Sequence, residues 1–281
     1  MQSKLIIYVF GLALYSCQPK TSLINHPATD TTPRAVYSKA VKDSLYVQTQ
    51  LPLEYGDSSS KRYPVVVVLD GNFHFPMLAA SIRQYEKAGL LPPLIVIGVG
   101  YKSLATMDSL RVRDYLYPAA LPSDELKATG GGELFRQFLS RELLPSIDST
   151  YRTTTQNRTL LGHSFGGYFA LYTLLNQANR KTRDFQNFVA ASPSVWYHNF
   201  YLNQLPTQLN TVNRADSVRL FITVGGQENA QWDVKPVQNL TTAIGQTGNV
   251  GLAGGVYNQL GHMDTGQLSF VKGLQYFYQS P

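Results

Sequence analysis

The sequence predicts an α/β fold built on one doubly wound, mostly parallel sheet. Apolar runs rich in β-branched residues, typical of parallel strands covered on both faces, alternate with segments whose apolar residues repeat at helical spacing. With 281 residues, 43% of them hydrophobic, the chain can bury one large core. We therefore expect a single domain of this class.

The predicted elements keep to that alternation along the chain. A hairpin of two strands is expected at residues 35–51, with Asp43 and Ser44 at its turn. Further strands are predicted at residues 63–69, 93–99, 188–191, 218–224 and 251–257, and one more leads into Ser164. Helices are predicted at residues 77–88, 133–147, 168–175, 234–244 and 266–278.

The N-terminal residues differ in composition from the rest of the chain. Lys4 precedes an apolar stretch, residues 5–15, that is too short to span a bilayer, which is typical of an export signal. Cys17, the only cysteine, follows Leu14-Tyr15-Ser16, and this sequence resembles the lipobox of bacterial lipoproteins. A plain secretory signal with a chance cysteine is the alternative.

These features divide the chain into three parts. We expect a lipoprotein signal peptide at residues 1–16, a flexible polar tether at residues 17–34 and the α/β domain at residues 35–281. Lipidation of Cys17 would anchor the protein to a membrane of the bacterial cell envelope. Neither the membrane face nor the oligomeric state follows from the sequence.

Charge and cysteine content exclude several other classes of protein. The net charge is +6, but lysine and arginine are scattered rather than interleaved with aromatic residues, so a nucleic-acid partner is not expected. A single cysteine excludes an intramolecular disulfide and a cysteine-based zinc site. We expect no metal and no cofactor.

Ser164 is the centre of the functional prediction. It lies in Gly162-His163-Ser164-Phe165-Gly166, between an apolar run and a helix-compatible segment. In a nucleophile elbow the serine occupies a tight strand-to-helix turn, and the residues two positions before and after it must be small. The sequence therefore predicts a nucleophilic serine on an α/β-hydrolase sheet. A glycine-rich turn with an incidental serine is the alternative.

A serine nucleophile needs a histidine base and an acid that orients it, and α/β-hydrolases place them in the order Ser, Asp or Glu, His. His198 follows Ser164 too closely to leave room for an acid-bearing strand, so His262 is the predicted base. The candidate acids between them are Asp184, Asp216, Glu228 and Asp233.

Position in the predicted sheet separates these acids. Asp184 and Asp216 precede strands, whereas Glu228 follows the strand at residues 218–224, at the edge where the serine lies. We assign Glu228 as the acid and keep Asp233 as the reserve. A helix cap before Val234 is the structural alternative for Asp233.

Two backbone N–H groups are needed to stabilise the oxyanion of the tetrahedral intermediate. Phe165, directly after the nucleophile, supplies the first. The loop after the strand at residues 63–69 supplies the second, from Gly71, Asn72 or Phe73.

Aromatic residues at the same edge predict a cleft for an aromatic substrate. Arg111 and Arg113 are expected in a loop beside it, where either could attract an anion. A purely structural role is the alternative for both groups. The aromatic residues are Phe73, Phe75, Tyr101, Trp196, Tyr197 and Trp232, and of all these we assign Phe73, Arg113, Trp196 and Trp232 to substrate binding.

The chain resembles the Putative esterase family of α/β-hydrolases, which contains esterase D, the ferric-enterobactin esterases and mycolyltransferases, and is most similar to the ferri-siderophore esterase branch. The matching motifs lie at residues 68–72, 113–118, 131–135, 142–145, 162–167, 191–196 and 261–262. The resemblance implies a serine hydrolase with Ser164 and His262. Family members act on siderophore lactones, acylated sugars, thioesters and mycolates.

The sequence thus predicts a carboxylester hydrolase that works through an acyl-enzyme on a small-molecule ester, with siderophore-like or aryl esters as candidate substrates. An acyltransferase at the same site is the closest alternative, because it differs only in whether water or an alcohol meets the acyl-enzyme. A lipoprotein that binds a siderophore or glycan without catalysis is a third interpretation.

Overall fold

A computed structural model describes residues 30–57, 60–211 and 218–279. Cys17 and the predicted signal peptide lie outside these residues. The strands are β1 (Asp30–Ser38), β2 (Asp43–Gln50), β3 (Tyr63–Leu69), β4 (Ile95–Gly100), β5 (Thr153–His163), β6 (Asn187–Ala191), β7 (Val218–Gly225) and β8 (Val250–Tyr257).

Helices connect most of these strands. They are α1 (Gly71–Lys87), α2 (Leu104–Tyr115), α3 (Gly132–Gln137), α4 (Leu144–Thr150), α5 (Phe165–Arg180), the short α6 (Tyr197–Phe200) and α7 (Leu205–Leu209), α8 (Lys235–Thr247) and α9 (Thr265–Tyr278). A π-helical segment, Phe138–Leu143, joins α3 to α4, and a second one, Ala230–Val234, leads into α8.

The strands form one eight-stranded sheet in the order β1-β2-β4-β3-β5-β6-β7-β8 within the described residues. β1 and β2 are antiparallel to their neighbours, and all the other pairs are parallel. This is the predicted mostly parallel, doubly wound sheet. Because β3, β5, β6 and β7 are parallel, the residues that follow them meet at one edge.

The core lies on both faces of the sheet. Successive side chains of a strand point to opposite faces, and β3 accordingly sends Val65 and Val67 into one apolar cluster and Val66 and Val68 into another. Helices α1 and α9 cover the second cluster, whereas α5 and α8 cover the first. Burial of each valine contributes about 1.5–3 kcal/mol, and the strand has the predicted bounds, residues 63–69.

Four details differ from the sequence prediction. The hairpin turns at residues 39–42, where Lys42 has φ 60°, and Asp43 and Ser44 already pair in β2. β1 begins at Asp30, so residues 30–34 of the predicted tether belong to the sheet, with Arg34 opposite Val47. Helix α1 begins at Gly71 instead of after Pro76, because the left-handed backbone of Asp70 (φ 51°) turns the chain directly out of β3.

The fourth difference is α2, which the sequence reading placed in a loop. Its apolar residues are at most partly buried: Met107, Leu110 and Val112 pack against the core. Leu104 is exposed, and only Asp114 and Tyr115 of this helix are fully buried. The Ser103 hydroxyl accepts a hydrogen bond from the Thr106 N–H and caps the helix. Because the packed side of this helix also carries the charged residues Arg111 and Asp114, its periodicity signal is weak.

Candidate active site

Ser164 occupies the bend between β5 and α5. Its backbone has φ 60° and ψ −121°, a conformation that a residue with a side chain adopts only when the surrounding structure holds it. The Ser164 N–H donates to the Ala191 carbonyl over 2.9 Å, and the Ser164 carbonyl accepts from the Tyr168 N–H over 2.9 Å. The neighbouring strand and the first turn of the helix therefore fix the strained serine.

Gly162 shows why this turn requires a residue without a side chain. A Cβ atom at Gly162 would lie 2.0 Å from the carbonyl oxygen of Gly166, which is far inside van der Waals contact. The chain can turn this tightly only because the strand and the helix approach each other at glycine. The predicted elbow geometry is present.

Glu228 and His262 are in direct contact. Glu228 follows β7, and His262 lies in the short 3₁₀ turn His262–Asp264 between β8 and α9. The Nδ1 atom of His262 is 2.6 Å from Oε2 of Glu228. This contact can hold one tautomer of the imidazole and leave Nε2 available for proton transfer.

The second carboxylate oxygen of Glu228 is held by two further donors. Oε1 accepts from the Ser192 hydroxyl over 2.6 Å and from the Gly225 N–H over 2.6 Å. Burial alone would raise the pKa of Glu228, but the hydrogen bonds from His262, Ser192 and Gly225 outweigh it, so the pKa lies below its ordinary value. Glu228 is therefore ionised at neutral pH.

Two buried hydroxyl groups, those of Ser192 and Thr265, contact the Glu228–His262 pair. The Thr265 hydroxyl lies 2.7 Å from that of Ser192 and donates to the His262 carbonyl over 3.0 Å. Ser192 itself has φ 41° and is buried. Sequence reasoning did not assign these two residues a role. The available signal was the motif at residues 191–196, which contains Ser192.

One pocket of about 350 Å³ brings the predicted residues together. It contains the three predicted catalytic residues, the predicted aromatic residue Trp196 and the reserve acid Asp233. The lining residues are Ser164, Phe165, Ser194, Trp196, Gln227, Glu228, Asn229, Asp233 and His262.

Asp233 is not the cap of the helix that follows it. The N-cap residue of α8 is Val234, which makes no side-chain capping hydrogen bond. Asp233 lies in the preceding π-helical segment, which is capped by Asn229: the side-chain oxygen of Asn229 accepts from the N–H groups of Gln231 and Trp232 over 2.9 and 3.0 Å. Burial, and to a lesser extent the Glu228 carboxylate, raises the pKa of Asp233. The structural alternative considered for Asp233 is therefore wrong.

The predicted oxyanion donors lie at two adjoining turns. Phe165 begins α5 and lines the pocket, while Gly71 and Asn72 begin α1, where first-turn N–H groups have no acceptor within the helix. The Phe73 N–H instead donates to the Asp70 carbonyl over 2.8 Å. The Asn72 side chain pairs with the backbone of Tyr101, which places this turn beside β4.

A buried ion pair joins these two turns. Arg111 donates to both carboxylate oxygens of Asp70 over 3.1 and 2.9 Å, and to the His163 carbonyl over 3.1 Å. Asp70 directly precedes Gly71, and His163 directly precedes Ser164. Arg111 therefore ties the β3–α1 turn to the elbow.

The predicted positions of the two arginines were wrong. Arg111 and Arg113 lie in α2, not in a loop. The Arg113 guanidinium contacts Asp114 over 2.7 and 3.0 Å and Asp43 over 2.7 Å, and it does not line the pocket of Ser164. The substrate-binding assignment of Arg113 is therefore corrected to a structural role.

The predicted aromatic residues divide into three groups. Trp196 lines the pocket and packs edge-on against Phe165, with 6.1 Å between ring centroids. Trp232 is 58% exposed and stacks on Phe200 outside the lining, and Phe73 is 46% exposed on the first turn of α1. The others were wrongly placed in the cleft, because their side chains are buried in the core. These core residues are Phe75, Tyr101 and Tyr197.

Two buried histidines, His163 and His74, lie next to each other, and His163 contacts His262. The Nε2 atom of His163 lies 2.8 Å from the His262 carbonyl, and the His74 and His163 ring centroids are 5.6 Å apart. Burial lowers the pKa of His163 to about 3 and that of His74 to about 4. Both rings are neutral, so Nε2 of His163 donates to the carbonyl.

Neither a metal-binding cluster nor a membrane-spanning helix is found in the part of the chain that the structure describes. Residues 30–57, 60–211 and 218–279 contain no cluster of three or more His, Cys, Asp or Glu side chains suited to a metal ion. In the same ranges, no helix combines the length and apolar character needed to cross a membrane.

Fold and site together define an α/β-hydrolase, and the chain belongs to the Putative esterase family, whose sequence model matches residues 38–250. In the solved structure of the BES protein from Bacillus cereus, the same fold recurs with a TM-score of 0.76 and 26% identity. That similarity covers 90% of this chain and 97% of the other.

Curated relatives are similar over a shorter stretch. Ferri-bacillibactin esterase BesA of Bacillus subtilis is 35% identical over 154 residues, which cover 50% of this chain and 52% of the relative. Apo-salmochelin esterase of Escherichia coli is 31% identical over 141 residues, which cover 47% and 42%. The chain thus spans about half the length of the curated relatives it matches.

Proposed function

We propose that this protein is a serine carboxylester hydrolase that works through an acyl-enzyme on Ser164. The observation that carries the proposal is the contact of Glu228 with His262 in the pocket that also contains the strained Ser164. An ionised carboxylate at Nδ1 favours the tautomer with a free Nε2, which can take the serine proton. Family membership supports the same reaction class.

The proposed reaction has two halves. Ser164 Oγ attacks the ester carbonyl carbon while His262 Nε2 takes its proton, and the N–H groups of Phe165 and of Gly71 or Asn72 stabilise the oxyanion. The intermediate collapses when the C–O bond breaks and His262 returns the proton to the leaving alcohol. Water then attacks the acyl-enzyme, again with His262 as base, and releases the acid and Ser164.

We propose siderophore-type esters as the substrate class. Two curated relatives are named for ferri-bacillibactin and apo-salmochelin, which are siderophores. Phe165 and Trp196 give the pocket aromatic surface on which an aryl acyl group can pack.

Product analysis tests both proposals. The purified protein is expected to hydrolyse p-nitrophenyl acetate and a catecholate trilactone, with a higher kcat/KM for the trilactone. Hydrolysis of the acetate with no cleavage of the trilactone would refute the substrate class only. No hydrolysis of any ester, by a protein that melts cooperatively, would refute the reaction.

We also propose that the mature protein is a lipid-anchored protein of the bacterial cell envelope. The support is the sequence pattern around Cys17. Fractionation of cells that express the wild-type chain and the Cys17→Ala variant tests the proposal. The wild type is expected in the membrane fraction, because stable anchoring needs more than one acyl chain and the lipidated Cys17 would carry them. The variant is expected in the soluble fraction with its activity retained. A wholly soluble wild type would refute it.

A further inference from the structure

The pocket around Ser164 has an acidic lining. Its side chains include the carboxylates of Glu228 and Asp233, and its lining contains no lysine or arginine. His262 is the one basic side chain there, and it already contacts Glu228. Although the whole chain has a net charge of +6, the side chains that line this pocket carry more negative than positive charge.

The two arginines that the sequence placed beside the site, Arg111 and Arg113, form ion pairs with carboxylates of the chain. Arg111 is paired with Asp70, and Arg113 contacts Asp43 and Asp114. Both guanidinium groups are thus neutralised by carboxylates of the chain. An anionic group that entered the pocket would meet the charge of Asp233 without a compensating cation from either arginine.

Asp233 lies within the π-helical segment Ala230–Val234, and its carboxylate accepts a hydrogen bond from the Asn229 backbone N–H. Asn229 caps this segment, and Glu228, held by Ser192 and the Gly225 N–H, contacts His262. Asp233 is nevertheless partly exposed and faces the same pocket. Its negative charge therefore lies at the wall of the pocket, where it acts on any charged group that enters.

We infer that Asp233 is a specificity-determining residue that disfavours anionic substrates, so that the pocket accepts uncharged esters. The inference rests on the proposed esterase function and narrows its substrate class. The amides of Gln227 and Asn229 and the ring of Trp196 provide hydrogen bonds and aromatic surface suited to an uncharged hydroxylated aryl group.

This inference separates two forms of a catechol ester. The iron-free form is uncharged near neutral pH, whereas a ferric catecholate complex is an anion, because its phenolate oxygens outnumber the charges on the iron. Two like charges a few ångströms apart near a protein surface repel each other strongly enough to change a rate constant about tenfold or more. The iron-free ester is therefore the favoured substrate.

A matched pair of esters tests the role of Asp233. The p-nitrophenyl ester of terephthalic acid carries one para-carboxylate, and its methyl-capped analogue is neutral. We expect the wild type to favour the neutral ester, and Asp233→Asn to shift the ratio of the two kcat/KM values about tenfold toward the anionic ester. Assays at about pH 8 keep the aspartate ionised. Asp57→Asn is the control, because it removes the same charge from an exposed position before β3, at the opposite edge of the sheet.

Salt gives a second measurement on the same proteins. Raising NaCl from about 0.02 to 0.5 M should increase wild-type kcat/KM for the anionic ester by screening the repulsion. The increase should be smaller in Asp233→Asn, and in Asp57→Asn it should equal the increase of the wild type.

The outcomes are distinguishable. An unchanged ratio in Asp233→Asn would overturn this inference alone. An equal loss of turnover for both esters would overturn it too, because Asp233 would then serve the reaction and not selection. A wild type that hydrolyses neither ester would overturn the proposed function and this inference with it.

Discussion

Oε2 of Glu228 lies 2.6 Å from Nδ1 of His262, and its other oxygen accepts from the Ser192 hydroxyl and the Gly225 N–H. The carboxylate is thus held at both oxygens, which restricts its rotation. A carboxylate fixed in this way can orient an imidazole without taking its proton.

Glu228→Gln should lower kcat with little loss of stability. The amide can donate to Nδ1 and so favour the wrong imidazole tautomer, and the analogous change in a serine protease costs roughly 10⁴-fold. Asp233→Asn is the matched control, and on a neutral ester it should change kcat far less. A larger loss in Asp233→Asn would make Asp233 the acid.

Ser192→Ala should lower kcat about tenfold and destabilise the fold by roughly 1–3 kcal/mol, because the ionised Glu228 loses a buried donor. Ser269→Ala is the control. Ser269 is equally buried and donates to the Thr265 carbonyl over 2.6 Å, but it does not contact Glu228, because Thr265 and Ser192 lie between them. Its removal should affect stability but leave kcat nearly unchanged, so equal kcat losses in the two variants would contradict the role of Ser192.

Asp70→Ala should destabilise the protein by about 3–5 kcal/mol, since it leaves the buried guanidinium of Arg111 uncompensated. The side chains of Asp70 and Arg111 are only 3% and 12% exposed. Urea denaturation measures the loss. Arg34→Ala breaks the exposed Arg34–Asp30 pair and should cost less than about 1 kcal/mol. Comparable losses in the two variants would contradict a buried clamp between the turn and the elbow.

Glu133 should make stability depend on pH in acid. Burial would raise the pKa of Glu133, but hydrogen bonds from Arg136 and Gln137 and the charge of Arg180 outweigh it and lower the pKa to about 2, from the ordinary value of 4.5. A depressed pKa contributes stability that is fully present above pH 4.5 and is lost as the pH falls toward 2.

Thermal melts from about pH 2 to about pH 6 test this contribution. The difference in Tm between the wild type and Glu133→Gln should be largest at pH 5 and above. It should shrink on acidification, because protonation of Glu133 removes the charge that the variant already lacks. The exposed Glu125 provides the control substitution, Glu125→Gln. A Tm difference for Glu133→Gln that stays constant across the range would contradict the ion-pair network.

The sequence predicted the features that follow from strong local patterns. The β-branched run at 63–69 is typical of a buried strand, and the glycines around Ser164 favour a strand-turn-helix. The order of Ser164, Glu228 and His262 along the chain then restricted the acid and base to a few residues, and the structure places all three in one pocket.

The rest depends on contacts between distant segments, which no local pattern records. Arg111 finds its partner 41 positions earlier in the chain, and Ser192 finds its partner 36 positions later. Helix α2 gives a weak periodicity signal because its packed side combines the apolar Met107 and Leu110 with the charged Arg111 and Asp114. Tyr101 and Tyr197 were predicted to line the cleft from their positions after strands. Such a position does not determine whether the ring points into the cleft or into the core, where both rings are buried.

Covalent labelling of Ser164 tests the central claim most directly. A fluorophosphonate should add to the wild type with one-to-one stoichiometry, peptide mapping should place the adduct on Ser164, and ester hydrolysis should fall in proportion to labelling. The Ser164→Ala variant should neither label nor turn over ester, with a loss of ~10³-fold or more in kcat and an unchanged melting temperature. Full hydrolysis by Ser164→Ala, or an adduct on another residue, would contradict the account.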